Sequence, residues 1–214
     1  MPRGFGPARY LVLMVRTIIF DLGKVLIPFD FSRGYRAMEE LCGVPPAEIK
    51  QRIAATDLVH RLESGGMEPE DFVRQLTGLL GLHIEYGRFC SIWSSIFLPD
   101  PLLPDDLLAA LHRNYRLLLL SNTNSIHFDM IRDTYPLVRH FDYCILSHEV
   151  KAMKPDPRIY RAALAEARCA PAECFYTDDI ADYVEGARRE GIDAVQFHSR
   201  EQLEQEMKAW GIVW

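Results

Sequence analysis

Cysteine is scarce in this chain and poorly placed for chemistry of its own. The five residues, Cys42, Cys90, Cys144, Cys169 and Cys174, are odd in number, scattered and mostly set in apolar stretches. That excludes a disulfide framework and fits a reduced, cytoplasmic setting. Cys169 and Cys174 lack the companion His or Cys residues of a zinc site and read as core or surface thiols. Long hydrophobic runs are missing too, since no stretch approaches the ~20 residues of a membrane span. Arg3 and Arg9 precede the apolar Leu11–Val15, but no small-residue cleavage site follows, so no signal peptide is expected. The first regular element begins only at Val15, and Met14 reads as the natural start with an upstream extension before it. Clustered Lys and Arg are also absent. With 24 basic against 30 acidic residues and a net charge of −6, the chain is no dedicated binder of nucleic acid or anionic membrane, while small anionic substrates remain open.

What is present is ordinary for a globular protein: 214 residues, 49% hydrophobic and 25% charged, enough for one large domain or a core with an insertion. Val15–Phe20 is a short apolar, β-branched run ending at Asp21, which predicts a buried strand. The next strand-like run is far away, at Tyr115–Leu120. Tyr143–Leu146, Cys174–Thr177 and Ala194–Phe197 follow, separated by helical patterns at His127–Asp133, Pro157–Arg168, Ala181–Glu190 and Glu201–Trp210. Strands alternating with helices predict an α/β fold, a doubly wound, Rossmann-like parallel sheet covered on both faces. Residues 30–103 show only helical periodicity: Phe31–Leu41 closing at Gly43, Pro46 in a first turn, Asp71–Leu80 and Tyr86–Phe97. The expected organisation is therefore a core of 1–29 and 104–214 with an all-helical insertion at 30–103. Ligands of open α/β sheets bind beyond the carboxyl ends of the strands, so Asp21, Ser121 and Asp178 should converge there, beneath the insertion.

Four segments carry chemistry. Ile18-Ile19-Phe20-Asp21-Leu22-Gly23-Lys24-Val25 sets a carboxylate at a strand end. Leu117–Leu120 runs into Ser121-Asn122-Thr123-Asn124, which offers a hydroxyl and backbone N–H groups just before a helix. Asn124 serves equally as a helix cap. Lys151-Ala152-Met153-Lys154-Pro155-Asp156-Pro157-Arg158 and Thr177-Asp178-Asp179-Ile180-Ala181-Asp182 complete the set. Three carboxylates so close at a strand exit repel one another unless a cation or donors compensate.

In this order and on these elements, the four segments resemble the haloacid-dehalogenase-like (HAD) hydrolase superfamily with an α-helical cap. The wording Phe-Asp-Leu-Gly-x-Val, Leu-Ser-Asn-Thr-Asn and Lys-Pro-Asp-Pro-Arg-Ile-Tyr is similar to its sugar-phosphate phosphatase branch, the bacterial glucose-1-phosphate phosphatases among them. The resemblance implies a Mg²⁺-dependent phosphatase of a small phosphorylated metabolite. Asp21 would be the nucleophile that forms an aspartyl-phosphate. Ser121 and Asn122 would hold the phosphoryl oxygens, and Lys154 would neutralise their charge and keep Asp21 ionised. Asp178, Asp21 and the Gly23 carbonyl would bind Mg²⁺, with Asp179 and Asp182 behind them orienting water or pairing with Lys154. Asp179 could instead only cap the following helix.

One departure stands out. Most phosphatases of the family carry a second aspartate two residues after the nucleophile, where it protonates the leaving oxygen; here that position is Gly23. A missing acid forfeits ~10²–10⁴-fold unless the leaving group is good or the proton has another source. His127, in the first turn after the Ser121 segment, either supplies that proton or is structural. Lys24 either contacts a substrate anion or offsets the acidic cluster, the second being favoured. Asp30 caps the first insertion helix, a role Ser32 contests, and Trp93 belongs to the insertion's core. His60, Arg61 and Glu63 precede Ser64-Gly65-Gly66, where relatives tend to have Glu-Arg-Gly-Glu. Two other functions compete with the phosphatase: a metal-free 2-haloacid dehalogenase using the same carboxylate attack, and a phospho-ligand-binding protein that lost turnover at Gly23.

Overall fold

The computed structural model describes residues 14–214, so the expectation for the segment before Met14 lies outside the described residues. Five short strands form one parallel sheet in the order β3-β2-β1-β4-β5: β1 (Thr17–Phe20), β2 (Arg116–Ser121), β3 (Tyr143–Leu146), β4 (Cys174–Asp178) and β5 (Asp193–Gln196). All five expected strands are present, β3 with the expected bounds and the other four within two residues of theirs.

Side chains alternate between the two sheet faces, and both faces are packed. Ile18, Phe20, Leu117, Leu119 and Phe175 point to one side. There they meet α6 (Asp105–His112), α7 (Ser125–Thr134) and α11 (Arg200–Ala209) through Leu108, Ile131 and Leu203. Ile19, Leu118, Leu120, Cys174 and Tyr176 point to the other side. That side is covered by α9 (Pro157–Ala167) and α10 (Ala181–Arg189) through Ile159, Tyr160, Val184 and Ala187. Strands covered on both faces read as continuous apolar runs, as Leu117–Leu120 does. The α6 helix went unread in the sequence because Pro101 and Pro104 masked its start. Cys169 and Cys174, read from the sequence as core or surface thiols, are free and lie with their sulfurs 3.5 Å apart.

Between β1 and β2 run α1 (Phe31–Cys42), α2 (Pro46–Ala54), α3 (Leu58–Glu63), α4 (Pro69–Leu80) and α5 (Tyr86–Ser94). They gather around an apolar cluster of their own, including Met38, Leu62, Phe72, Phe89 and Trp93, joined by Ile126 of α7. Asp30 caps α1 by accepting the Ser32 N–H, and Gly43 ends it in the left-handed region at φ 70°. The expected helix over Tyr86–Phe97 stops at Ser94. Its last residues unwind so that the outgoing and returning chains pair: Asp30 N–H donates to the Ile96 carbonyl at 2.8 Å and Leu98 N–H to that of Pro28 at 2.9 Å. A second contact joins α3 to α8 (Ser147–Val150), the short helix after β3. Ser147 Oγ donates to the Glu63 carbonyl at 2.6 Å, and a Cβ on Gly65, at φ 67°, would lie 2.1 Å from the His148 carbonyl oxygen.

Candidate active site

Register brings the reactive residues to one edge. Phe20 pairs with Leu119 on β2 and with Thr177 on β4, so Asp21 stands level with Leu120 and Asp178, and Ser121 lies one residue beyond. Period-2 alternation then puts Asp21, Leu120, Tyr176 and Asp178 on the same face of the sheet. From that face comes Lys154, on the loop between α8 and α9.

Lys154 is 3% exposed, far from the surface lysine a lone Lys-Pro pair suggests. Its ammonium donates to Asp21 Oδ1 and Asp178 Oδ2, both at 2.6 Å, and to the Leu120 carbonyl at 3.1 Å. The Tyr176 hydroxyl also contacts Lys154 and donates a short hydrogen bond to Asp178 Oδ2. Burial pulls the Lys154 ammonium down, but Asp21 and Asp178 outweigh it and hold the group charged above its usual range. Burial likewise holds the Asp21 carboxyl above the ordinary carboxylate range, opposed by Lys154 and reinforced by Asp178. A cation beside Asp21 would favour the ionised form that a nucleophile needs.

Asp21, Asp178 and Asp179 each bring a carboxylate oxygen within 4.8 Å of the others. One buried ammonium cannot offset three carboxylates, and an all-oxygen donor set suits a hard divalent cation such as Mg²⁺. Asp179 therefore belongs with this trio rather than behind it, and it does not cap α10. The Ile180 N–H is taken by Asp178 Oδ1 at 2.8 Å instead. Burial and Asp178 raise the Asp179 carboxyl, while Lys24 and Lys154 lower it. The Lys24 ammonium sits over the Phe29 ring, 5.1 Å from its centre. Asp182 departs from its expected place: it is exposed on the first turn of α10, about 200° round the helix from buried Val184, and takes no part in the trio or the Lys154 pairing among the described residues.

The second strand end is assembled as expected in part. Ser121 is buried beside Asp21's strand, and Asn124 caps α7 by accepting the His127 N–H. Asn122, however, commits its side chain to the lysine loop: Oδ1 accepts the Lys154 N–H at 2.7 Å and Nδ2 donates to the Lys154 carbonyl at 3.1 Å. Its backbone N–H is what remains for an anion. His127 is not placed to donate a proton to a leaving group. Its ring is buried and stacked on Trp93, 5.6 Å between centres, with Nδ1 facing Asn124 Nδ2 and Nε2 facing the Trp93 carbonyl, both at 3.2 Å. These partners fix the neutral tautomer with hydrogen on Nε2, and burial pushes its pKa down to about 4 against the Trp93 carbonyl.

Above the strand ends lies a cavity of about 80 Å³ walled by Gly23, Phe29, Phe97, Ser121, Asn122 and Glu63. A wider surface depression of about 620 Å³ between α10, β5 and α11 contains none of the four signature segments. Sequence reasoning missed Tyr176 and the placement of Glu63. Tyr176 was findable, being two residues before Asp178 on a strand, whereas Glu63 reaches the cavity only through the docking of α3.

Residues 15–191 match the family model described as haloacid dehalogenase-like hydrolase. The chain is 25% identical over 190 residues to the D-ribitol-5-phosphate phosphatase of Bacteroides thetaiotaomicron, covering 86% of this chain and 92% of that one. It is 24% identical to the phosphorylated carbohydrates phosphatase of Thermotoga maritima over 85% of this chain and 84% of that one. The crystal structure of a HAD family enzyme from Bacteroides thetaiotaomicron in complex with magnesium and inorganic phosphate superimposes with a TM-score of 0.79, at 26% identity, over 87% of this chain and 96% of that one.

Proposed function

Because the chain belongs to the haloacid dehalogenase-like hydrolase family, we propose that it is a Mg²⁺-dependent phosphatase that cleaves a small phosphorylated carbohydrate through an aspartyl-phosphate on Asp21. The observation that carries this reading is the buried Asp21–Lys154–Asp178 arrangement, with Lys154 at 2.6 Å from both acids. The substrates named for the two phosphatase relatives support the carbohydrate class.

Asp21 attacks phosphorus in line with the ester oxygen. The Ser121 hydroxyl and the Asn122 backbone N–H hold phosphoryl oxygens, and Lys154 offsets charge that grows on them. Asp21, Asp178 and the Gly23 carbonyl would hold Mg²⁺, with Asp179 beside them. When bound, the ion supplies positive charge against the phosphoryl group. Tyr176 and Asn122 keep Lys154 in place. Residues 30–103 act as a cap on a core whose described part is 14–29 and 104–214, closing the cavity over the strand ends and excluding water from Asp21.

Phosphate release from ribitol 5-phosphate, glucose 1-phosphate, glucose 6-phosphate and p-nitrophenyl phosphate, with and without Mg²⁺, tests the reading beside Asp21→Asn. Metal-dependent release that the variant loses is the expected result. Full activity in the variant overturns the mechanism, and chloride release from 2-chloropropionate without metal would favour the dehalogenase. The three carboxylates argue against that second reaction, because halide displacement creates no demand for a cation.

A further inference from the structure

Gly23 leaves the first strand end without the acid that usually protonates the departing oxygen, and its surroundings show that the side chain is replaced rather than merely missing. A Cβ built on Gly23 would lie 2.8 Å from Cε1 of Phe29. The Phe29 ring therefore occupies the room an aspartate would need. The wall of the same cavity includes another acidic residue, Glu63, the last of α3.

The end of α3 at Glu63 is fastened to the core at two points. The Glu63 carbonyl accepts the Ser147 hydroxyl hydrogen at 2.6 Å, and Ser147 Oγ in turn accepts the Thr123 N–H at 2.9 Å, so α3 is fastened to the loop that carries Ser121 and Asn122. Two residues on, Gly65 packs without a side chain against the His148 carbonyl. Among the described residues, no hydrogen bond or ion pair engages the Glu63 carboxyl, and its burial raises its pKa to about 7. The charges on neighbouring elements are taken up elsewhere: Arg61 pairs with Asp57, Arg74 with Asp71, and His148 Nδ1 contacts the Thr123 carbonyl. Glu70, Glu149 and Lys151 are exposed. His127, the other titratable residue on the cavity wall, has both ring nitrogens engaged.

We infer that Glu63 is the general acid and base of this enzyme, standing in from the helical insertion for the aspartate that Gly23 and Phe29 exclude. The inference rests on the phosphatase reading. As Asp21 forms its bond to phosphorus and the ester P–O bond breaks, the protonated Glu63 gives its hydrogen to the departing oxygen, releasing the alcohol. In the second half, water attacks phosphorus, Glu63 takes its proton, and the aspartyl P–O bond breaks. Asp21 is returned as carboxylate, phosphate leaves, and Glu63 is protonated again.

The test uses the full chain with saturating Mg²⁺ and compares wild type, Glu63→Gln and Glu63→Asp. The substrates are two alkyl esters, ribitol 5-phosphate and glucose 6-phosphate, whose leaving oxygens need a proton, and p-nitrophenyl phosphate, whose leaving phenolate does not. Because kcat/KM reports only the steps up to release of the alcohol, Glu63→Gln is expected to lower kcat/KM on the alkyl esters by about 10²–10⁴-fold and on p-nitrophenyl phosphate by less than about tenfold. Glu63→Asp should retain more alkyl-ester turnover than Glu63→Gln, and the fall of wild-type kcat above neutral pH should vanish in Glu63→Gln. Equal losses of kcat/KM on both ester types, or none, overturn the assignment. Thermal melts check that the variants fold. A wild type that releases no phosphate from any ester, indistinguishable from Asp21→Asn, removes the phosphatase reading and the assignment with it. Unequal losses cannot arise in that case.

Discussion

Lys154 joins two carboxylates that would otherwise face each other with little water to separate them. Removing one member of a buried ionic group leaves charge uncompensated and costs about 3–5 kcal/mol. Lys154→Met should therefore lower unfolding stability by that amount in metal-free urea titrations, besides abolishing turnover. His127 gives a separate prediction. Its folded-state pKa is depressed from 6.5 to about 4, so between those values the unfolded chain binds the extra proton and the folded one does not. Stability is intact above pH 6.5 and is lost as pH falls toward 4, by about 1.4 kcal/mol per unit. Urea midpoints of His127→Gln should show a flatter acid limb than wild type over this window. At Gly23, the Phe29 ring makes Gly23→Asp alone unproductive. Adding Phe29→Ala clears the space, and in a Glu63→Gln background the Gly23→Asp, Phe29→Ala pair should recover part of the alkyl phosphatase activity that Glu63→Gln loses.

Among the elements, α3 depends most on its docking. It is six residues long, too short to hold itself together, and its end is set by the Ser147 hydrogen bond and the bare approach of Gly65 to His148. Gly65→Ala would add a left-handed alanine, a strain of about 1–2 kcal/mol, and drive a methyl into the His148 carbonyl. We expect a loss of alkyl phosphatase activity larger than that on p-nitrophenyl phosphate, measurable in the same assay. The α5 terminus makes a related point about legibility. Helical periodicity ran on to Phe97, but Phe97 bridges to Phe29 across the two connecting segments, and a tertiary pairing won over local propensity.

For the molecule as a whole, the proposed Mg²⁺ would act as a ligand of the folded state. Three carboxylates converge from the ends of two adjacent parallel strands, a site the unfolded chain lacks. Saturating Mg²⁺ at a hundred times its dissociation constant should add about 2.7 kcal/mol and raise Tm in wild type. In Asp178→Asn the Tm should respond far less. No helix among the described residues is long and apolar enough to cross a membrane, and most of the clustered buried apolar residues lie in the two layers that sandwich the sheet.

The amino-acid sequence by itself determined the α/β architecture, because apolar runs and helical periods alternate strongly enough to survive any local ambiguity. It also determined that Asp21, Ser121 and Asp178 share one edge, because consecutive parallel strands end on the same side. Tertiary structure alone decided how those residues are used. Asn122 turned its side chain to the Lys154 backbone, Asp179 joined the trio while Asp182 turned to solvent, and His127 was sealed against Trp93. Glu63, distant in sequence from every signature segment, reached the cavity. These outcomes depend on rotation about a helix axis, on where a loop closes and on which buried polar group finds a partner, and such choices are made by packing between segments that no local pattern connects.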